Sequence, residues 1–330
     1  MKSHNVAVVG ATGLVGRTMV KVLEERRFPV NNLVLVASAR SAGKSIPFNG
    51  KSVEVHTLEE SRFRDVQFAL FSAGASVSLE YAPKAVKYGT VVIDNSSAFR
   101  MDEKIPLVVP EVNPNDIFKN TGIIANPNCS TIQLVVVLKP LHDAFRIKRV
   151  VVSTYQSVTG AGKKGLDQLM SEIGKETPRE QKFPHPIAYN ALPHIDVFFD
   201  DGYSKEEWKM MKETSKIMGE QIKLTATTVR IPVVGGHSES VNIEFEKNCT
   251  VNQIREILGK AAGVVVQDDP KNNIYPMPIH AKDRDEVFVG RIRKDETVPS
   301  GINLWIVADN VRKGAATNAV QIAEVLAKAD

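Results

Sequence analysis

The sequence has few cysteines, no long apolar run and no clustered charge of one sign. Its 330 residues contain two cysteines, too few for a disulfide framework and typical of a reducing compartment. No apolar stretch approaches membrane-spanning length, and the first residues run straight into a strand pattern, which leaves no room for a signal peptide. The net charge of +4 comes without runs of lysine and arginine interleaved with aromatics. We therefore expect neither a membrane anchor nor nucleic-acid binding.

The chain is longer than most single hydrophobic cores allow, so two domains are expected. Its apolar fraction of 43% and charged fraction of 24% are ordinary for a soluble globular protein. Seven histidines are present, but no pairing at the spacing of zinc ligands stands out, so no metal is predicted.

The first chemical signal is a glycine-rich turn between a strand and a helix. Residues 5–9 form a β-branched run typical of a strand buried on both faces, and an amphipathic helix is predicted to end near Arg27. Between them, residues 10–16 read Gly-Ala-Thr-Gly-Leu-Val-Gly, which lets the backbone approach a diphosphate at the helix N-terminus. Glycines also serve tight turns, but this order of elements favours dinucleotide binding.

The end of the second predicted strand, residues 33–37, indicates which dinucleotide is bound. An NAD-specific site usually places a carboxylate here for the ribose 2′-hydroxyl. This chain has Ser38, Arg40 and Ser41 instead, two hydroxyls and a guanidinium that suit a 2′-phosphate. We predict NADP(H); the alternative is that Arg40 is an exposed loop residue.

Two further strand ends carry small polar residues. Ser72 and Gly74 follow one predicted strand, and Asn95 follows the next. Ligands of doubly wound sheets bind beyond the carboxyl ends of the strands, so these residues are expected near the cofactor. Arg100 comes soon after, and it can either clamp a phosphate with paired N–H donors or form a surface ion pair.

Cys129 lies where a predicted strand ends and a predicted helix begins. The strand covers residues 122–125, the turn reads Asn-Pro-Asn, and a buried helix is expected from Ser130. A thiol at this point faces unpaired backbone N–H groups and the positive end of the helix dipole, which favour the nucleophilic thiolate. The alternative is a small buried hydrophobe. Cys249 has no such setting and is taken as structural.

The second half of the chain adds further candidates. Gln156 ends a strand and precedes a glycine turn, which favours contacts with substrate and cofactor, although a structural turn remains open. His237 follows two glycines, and an imidazole beside a thiol commonly moves its proton; the alternative is an ordinary loop histidine. Glu220 and Lys223 are able to pair with each other on the surface.

Together these motifs resemble the aspartate-semialdehyde dehydrogenase family over essentially the whole chain. The matching stretches are residues 10–16, residues 126–131 (Asn-Pro-Asn-Cys-Ser-Thr), residues 155–162, residues 193–196, residues 220–223, and Arg230 followed seven residues later by His237. None is decisive alone, but their order and spacing are specific, and no catalytic position departs from the pattern.

The resemblance implies an α/β fold with two domains. A Rossmann-type doubly wound NADP-binding domain is expected at residues 1–127 plus 311–330, and an α+β catalytic and dimerisation domain at residues 128–310. The family comprises cytoplasmic, NADPH-dependent homodimers that convert L-aspartyl 4-phosphate to L-aspartate 4-semialdehyde and phosphate. That reaction lies on the route to lysine (through diaminopimelate), threonine and methionine.

The resemblance also implies catalytic roles. Cys129 attacks the acyl phosphate and expels phosphate, NADPH reduces the resulting thioester, and the thiohemiacetal collapses to the aldehyde. His237 is the acid/base, and Gln156 orients the acyl group.

Charged residues are implied to bind the substrate. Arg100 and Lys223 hold the leaving phosphate, Arg230 grips the α-carboxylate, and Glu220 binds the α-ammonium. Cofactor contacts are expected from Gly10, Thr12, Gly13, Leu14, Val15, Ser38, Arg40, Ser41, Ser72, Gly74, Asn95, Thr159, Gly160 and Asn310.

Two other functions compete with this one. N-acetyl-γ-glutamyl-phosphate reductase shares the fold and the thioester chemistry, but its acylated amine has no use for a carboxylate at the ammonium position. A redox-sensing protein that holds NADP(H) without chemistry would leave Cys129, Gln156 and His237 idle.

Overall fold

The computed structural model describes residues 2–329 and divides into two compact units. The N-terminal unit comprises Met1–Asn128 and Ala315–Asp330, and the central unit comprises Cys129–Gly314. The divisions fall after Asn128 and after Gly314, whereas the expected domain boundaries fell after residues 127 and 310.

Strands and helices alternate in the first part of the chain, and strands predominate later. The strands are β1 (His4–Val9), β2 (Val30–Ala37), β3 (Ser45–Phe48), β4 (Lys51–Thr57), β5 (Phe68–Phe71), β6 (Val91–Asp94), β7 (Ile123–Ala125), β8 (Ile147–Gln156), β9 (Leu224–Arg230), β10 (His237–Phe245), β11 (Val264–Val266), β12 (Val287–Asp295) and β13 (Gly301–Ala308). The helices are α1 (Leu14–Glu25), α2 (Ala75–Lys87), α3 (Cys129–Phe145), α4 (Lys163–Ile173), α5 (Lys205–Met218), α6 (Val251–Lys260), α7 (Pro278–Ala281) and α8 (Thr317–Ala329).

The N-terminal unit is built on a sheet with strand order β3-β4-β2-β1-β5-β6-β7. Its neighbours pair in parallel, except that β3 and β4 form an antiparallel hairpin at one edge. The strand order reverses at β1, so the carboxyl ends of β1, β2 and β5 border a crevice of the kind that holds dinucleotides. Apolar residues of these strands pack with α1 and α8 into one core. This is the doubly wound architecture that was predicted.

The central unit contains a mixed sheet with strand order β11-β12-β13-β10-β8-β9. Strand β10 lies in the middle, antiparallel to both β8 and β13, and β9 runs parallel to β8. Helix α3 contacts β8, β10, β12 and β13 on one face of this sheet and also packs against α5. Its residues from Ser130 to Leu138 are all buried, which explains why the helix is apolar on every side. The predicted second α+β domain is confirmed.

Two features are absent from residues 2–329. No helix there has the length and apolar character needed to cross a bilayer. No group of three or more histidine, cysteine, aspartate or glutamate side chains there is arranged to hold a metal ion.

Candidate active site

The glycine-rich turn of the N-terminal unit is closed by backbone packing that only glycine permits. Gly10 has φ +87°, and a Cβ there would lie 2.5 Å from the carbonyl oxygen of Ser72. A Cβ on Gly16 would lie 2.2 Å from the carbonyl oxygen of Gly10. The turn therefore lies against the end of β5, and Ser72 borders it as expected for a residue at the cofactor.

Helix α1 begins directly after this turn with its first N–H groups uncapped by a side chain. Gly13 is the N-cap, and the first turn, which includes Leu14 and Val15, holds no acidic residue. Such a helix start is suited to a phosphate group. The hydroxyl of Thr12 donates to Oγ of Ser41 over 3.3 Å, so the turn is joined to the segment that follows β2.

That segment is a single 3₁₀ turn, Ala39–Ser41, with Ser38 as its N-cap. Arg40 within it is exposed, and its guanidinium is accessible to a phosphate from solution. Thus the elements proposed for the diphosphate and for the 2′-phosphate are adjacent within one unit.

Asn95 and Arg100 lie together in the N-terminal unit. Arg100 is buried, and its Nη2 donates to the carbonyl oxygen of Asn95 over 2.9 Å. The side-chain oxygen of Asn95 accepts from Asn126 over 2.7 Å, and Asn318 of α8 donates to Asn126 over 2.7 Å. Asn126, the first residue of the Asn-Pro-Asn turn, thereby joins the end of β6 to the C-terminal helix. Gly74, the remaining predicted cofactor residue of this unit, is the N-cap of α2 with φ 93°.

In the central unit Cys129 is the first residue of α3 and is partly exposed. Its backbone is closely covered by Gly314, where a Cβ would lie 2.8 Å from the Cβ of Cys129. The thiol is thus at the N-terminal end of a 17-residue helix, where backbone N–H groups and the helix dipole favour a thiolate. Cys249 differs, because burial raises the pKa of its thiol.

Arg230, the last residue of β9, connects several of the predicted catalytic residues. Its side chain is buried, and Nη1 donates to the carbonyl oxygen of Ser157 over 2.7 Å. Burial lowers the pKa of its guanidinium, and interactions with Glu206 and with Cys129 oppose that change. An arginine remains charged in such surroundings, so a fixed cation faces the thiol.

His237 is the first residue of β10 rather than a loop residue, and it is fully buried. The backbone N–H of Ser157 donates to its Nδ1 over 3.1 Å. Because a backbone N–H can only donate, Nδ1 accepts, and the neutral ring carries its proton on Nε2. Burial and then the charge of Arg230 lower the pKa of this imidazole well below its usual value. The ring is therefore neutral at neutral pH.

The imidazole packs directly against a glycine. A Cβ on Gly160 would lie 3.1 Å from Nε2 of His237 and 2.6 Å from Nη1 of Arg230. Nε2 has no hydrogen-bond partner within the described part of the chain. His237 and Arg230 therefore lie side by side against Gly160, and an N–H donor and a cation are adjacent there, a combination that suits an oxygen atom carrying negative charge.

The remaining predicted residues of this unit surround His237. The hydroxyl of Ser157 donates to the side-chain oxygen of Asn310 over 3.0 Å, and Asn310 donates to Thr159 over 3.2 Å. Gln156 is buried, and its amide donates to Glu206 over 3.3 Å. The central unit therefore brings together Cys129, Gln156, Thr159, Gly160, Arg230, His237 and Asn310.

Glu220 and Lys223 are not part of this cluster, which corrects the sequence-based expectation. Glu220 accepts from Nε2 of His142 over 2.7 Å and pairs with Arg146 over 2.7 Å. His142 is 13 residues along α3 from Cys129, about 20 Å at the helical rise. Lys223 is exposed and precedes β9, whose other end carries Arg230, again about 20 Å away. Glu220 and Lys223 do not pair with each other either. Glu220 instead forms its ion pair with Arg146, which also lowers the pKa of Glu220.

Sequence reasoning missed two groups on α5. Glu206, in the first turn, contacts Gln156 and acts electrostatically on Arg230. Further along the same helix, Glu213 is buried and Lys216 half-buried. The stretch 213–216 repeats the Glu-x-x-Lys spacing that had been assigned to residues 220–223. Spacing alone does not separate the two stretches, but only the first lies within a helix, α5.

Comparison with known proteins identifies the family. A family model described as semialdehyde dehydrogenase, NAD binding domain, matches residues 5–120, and one described as semialdehyde dehydrogenase, dimerisation domain, matches residues 138–313. The aspartate-semialdehyde dehydrogenase of Aquifex aeolicus is 63% identical over 98% of each chain. The crystal structure of aspartate semialdehyde dehydrogenase II complexed with ASA from Vibrio cholerae has 49% identity and a TM-score of 0.96 over 99% of each chain.

A more distant neighbour is the crystal structure of the Candida albicans enzyme with NADP, at 25% identity and a TM-score of 0.77 over 98% of each chain. The 63% identity to the Aquifex aeolicus enzyme over nearly the full length, together with the two matched domains, shows that the N-terminal unit is an NAD(P)-binding domain and that the protein is an oxidoreductase. The chain belongs to the aspartate-semialdehyde dehydrogenase family.

Proposed function

We propose that this protein catalyses the NADPH-dependent reductive dephosphorylation of L-aspartyl 4-phosphate to L-aspartate 4-semialdehyde, through a thioester on Cys129. The observation that carries the proposal is the cluster in the central unit, where a thiol at a helix N-terminus faces the buried guanidinium of Arg230. The Vibrio cholerae neighbour complexed with ASA supports the substrate. The reaction supplies the semialdehyde for lysine, through diaminopimelate, and for threonine and methionine.

The thiolate of Cys129 attacks the acyl carbon, a C–S bond forms, and the bond to phosphate breaks. When bound, the nicotinamide supplies a hydride to the thioester carbon. The oxyanion that then develops accepts a hydrogen bond from Nε2–H of His237, and collapse returns the electron pair to sulfur. This sequence balances without net proton transfer in the reduction step. The acid/base role of His237 therefore consists of holding a proton on Nε2 toward the reacting oxygen.

The substrate's charged groups require partners of opposite charge. Arg230 is the proposed ligand of the α-carboxylate, because its planar fork matches a carboxylate and it is fixed by Ser157. Glu213 replaces Glu220 as the proposed ligand of the α-ammonium, and Lys216 replaces Lys223 as a proposed ligand of the leaving phosphate; Arg100 keeps its proposed role as a phosphate ligand. Helix α5 supports this assignment, because its first turn already contacts Gln156.

Two glutamate variants test whether Glu213 or Glu220 binds the α-ammonium. We expect Glu213→Gln to raise the KM for aspartate semialdehyde by about 10-fold or more, because a charge-assisted hydrogen bond to the ammonium is lost. Glu220→Gln is the matched control and should stay within about twofold of the parent enzyme, since Glu220 is occupied by Arg146 and His142. The measurement is phosphate-dependent NADP⁺ reduction; the opposite pattern would return the ammonium site to Glu220.

The same assay with N-acetylglutamate semialdehyde tests the substrate class. The proposed function predicts turnover of aspartate semialdehyde and negligible turnover of the acetylated compound. The reverse preference would indicate the N-acetyl-γ-glutamyl-phosphate reductase reaction instead.

Within the N-terminal unit we propose NADP(H) as the cofactor, with the 2′-phosphate on Ser38, Arg40 and Ser41. We expect Arg40→Ala to raise the Kd for NADPH by about 10- to 100-fold and to leave the Kd for NADH unchanged, because only NADPH carries the 2′-phosphate. Arg64→Ala, at another exposed arginine of the same unit, is the control. Equal affinity of the parent enzyme for NADH and NADPH in a fluorescence titration would refute the assignment.

We further propose that the protein works as a cytoplasmic homodimer assembled through the central unit. The description of the matching family model as a dimerisation domain supports this assembly.

A further inference from the structure

Glu239 is a buried ionisable residue that the proposed chemistry does not use. It lies on β10 two residues after His237, so both side chains point to the same face of the sheet. It is fully buried, and neither carboxyl oxygen accepts a well-formed hydrogen bond within residues 2–329. A carboxylate in this position would carry an uncompensated charge, which is costly in a protein interior.

Within residues 2–329, no positively charged side chain contributes to the pKa of Glu239. Thr154 of β8 and Ile306 of β13 are its direct neighbours across the sheet. The hydroxyl of Thr154 accepts from the amide of Gln156 over 3.3 Å. On the helix side, the amide of Gln133 interacts with the carboxyl group. Burial raises the pKa of Glu239 well above its usual value, and the Gln133 contact opposes this change.

Gln133 connects this carboxyl group to the catalytic histidine. It is four residues after Cys129 on α3, so the two side chains lie on the same face of the helix. Its Nε2 donates to the carbonyl oxygen of His237 over 3.4 Å, whereas its Oε1 has no donor within the described residues. The amide of Gln133 thus lies near the carboxyl group, yet neither oxygen of Glu239 nor Oε1 of Gln133 receives a well-formed hydrogen bond from the described residues. One proton on Glu239 supplies the missing donor.

We propose that Glu239 is a neutral carboxylic acid that positions His237 through Gln133. Its O–H donates to Oε1 of Gln133, which directs the amide N–H of Gln133 to the His237 carbonyl. These hydrogen bonds fix the backbone carbonyl of His237, while the N–H of Ser157 fixes the imidazole through Nδ1. Consecutive hydrogen bonds of this kind polarise one another. Glu239 touches no reacting atom and is a positioning residue.

This inference rests on the proposed role of His237, and the variants are chosen to separate the two. Glu239→Gln keeps a neutral N–H donor toward Gln133, so we expect kcat within about threefold of the parent enzyme. Glu239→Leu fills a similar volume without a donor, and we expect kcat to fall by about 10- to 100-fold, as for a small displacement of a catalytic group. Its KM should change by less than about twofold, because substrate contacts are intact.

Two more variants complete the kinetic test. Gln133→Leu should lower kcat as much as Glu239→Leu does. The double variant should be no slower than either single variant, because both substitutions break the same series of hydrogen bonds. Glu244→Gln is the control and should leave kcat unchanged, because Glu244 lies at the far end of the same strand and pairs with the exposed Lys148. A Glu239→Gln enzyme as slow as Glu239→Leu would show that an ionised carboxylate is needed, and a fully active Glu239→Leu enzyme would remove the positioning role; either result overturns the proposal.

Infrared difference spectroscopy of folded parent enzyme against Glu239→Gln tests the protonation state directly and does not depend on Glu239→Leu folding. The proposal predicts the C=O stretch of a protonated carboxylic acid at neutral pH; carboxylate bands in its place overturn it. A fully active His237→Asn variant would instead refute the proposed function while leaving this spectrum unchanged.

Discussion

Cys129→Ala is expected to lower the rate of aspartate semialdehyde oxidation by about 10⁴-fold or more, because without the thiol no thioester forms. NADPH binding should be unchanged, since the proposed cofactor contacts lie on other residues. The measurement pairs steady-state turnover with a fluorescence titration of NADPH.

Cys249→Ala is the matched control, because this second thiol lies beside Ser300 and away from the catalytic cluster. It should retain full activity. Substantial turnover by Cys129→Ala would eliminate the covalent route, whereas loss of both turnover and NADPH binding would indicate a folding defect.

Arg230→Lys is expected to raise the KM for the semialdehyde by about 100-fold. Lysine keeps the positive charge, but its point-like ammonium cannot hold Ser157 and a carboxylate together as the planar guanidinium does. Arg284→Lys changes an arginine paired with Glu286 at the surface and should have no effect. An unchanged KM for Arg230→Lys would assign the carboxylate to another group.

An Arg230→Met variant is expected to shift the pH dependence of kcat, because it changes the pKa of His237. Burial and the charge of Arg230 both lower the pKa of His237, so the neutral ring persists to a lower pH than for an ordinary histidine. Removing the charge leaves burial alone, and the pKa should rise. The acid limb of kcat should therefore move to higher pH in Arg230→Met and stay in place in Arg230→Lys.

Much of this architecture could be predicted because its signals are local. A β-branched run, a glycine turn and an amphipathic helix follow one another within the first 25 residues, and each constrains the backbone by itself. The start of α3 at Cys129 was similarly indicated by the turn before it and the apolar run after it. The Rossmann-type sheet follows from such units by the right-handed crossover rule.

The substrate residues were less predictable because the deciding information is tertiary. Glu-x-x-Lys occurs three times between residues 206 and 223, and nothing local shows that Arg146 and His142 occupy the last copy. An ordinary loop histidine stayed open as the alternative for His237, which follows two glycines, yet β10 begins with it and pairs with β8 and β13. In both examples the position of the side chain is decided by ion-pair or strand partners more than fifty residues away in the sequence.

The buried acid Glu239 shows the same limit. In the sequence it is one of two carboxylates on its strand, and the other, Glu244, pairs with Lys148. Only the packing of α3 across β10 shows that Glu239 is buried without a hydrogen-bonded partner among the described residues, and that Gln133 contacts both Glu239 and the carbonyl oxygen of His237. Burial and hydrogen-bond satisfaction, rather than residue type, distinguish the two glutamates.

The most direct test of the central claim is intact-protein and peptide mass spectrometry of the enzyme after incubation with aspartate semialdehyde and NADP⁺ without phosphate. Without phosphate the acyl group cannot leave by the normal route, so the account predicts an aspartyl adduct on the peptide that contains Cys129, formed together with NADPH. Formation of NADPH with no adduct, or with the adduct on another residue, would contradict it.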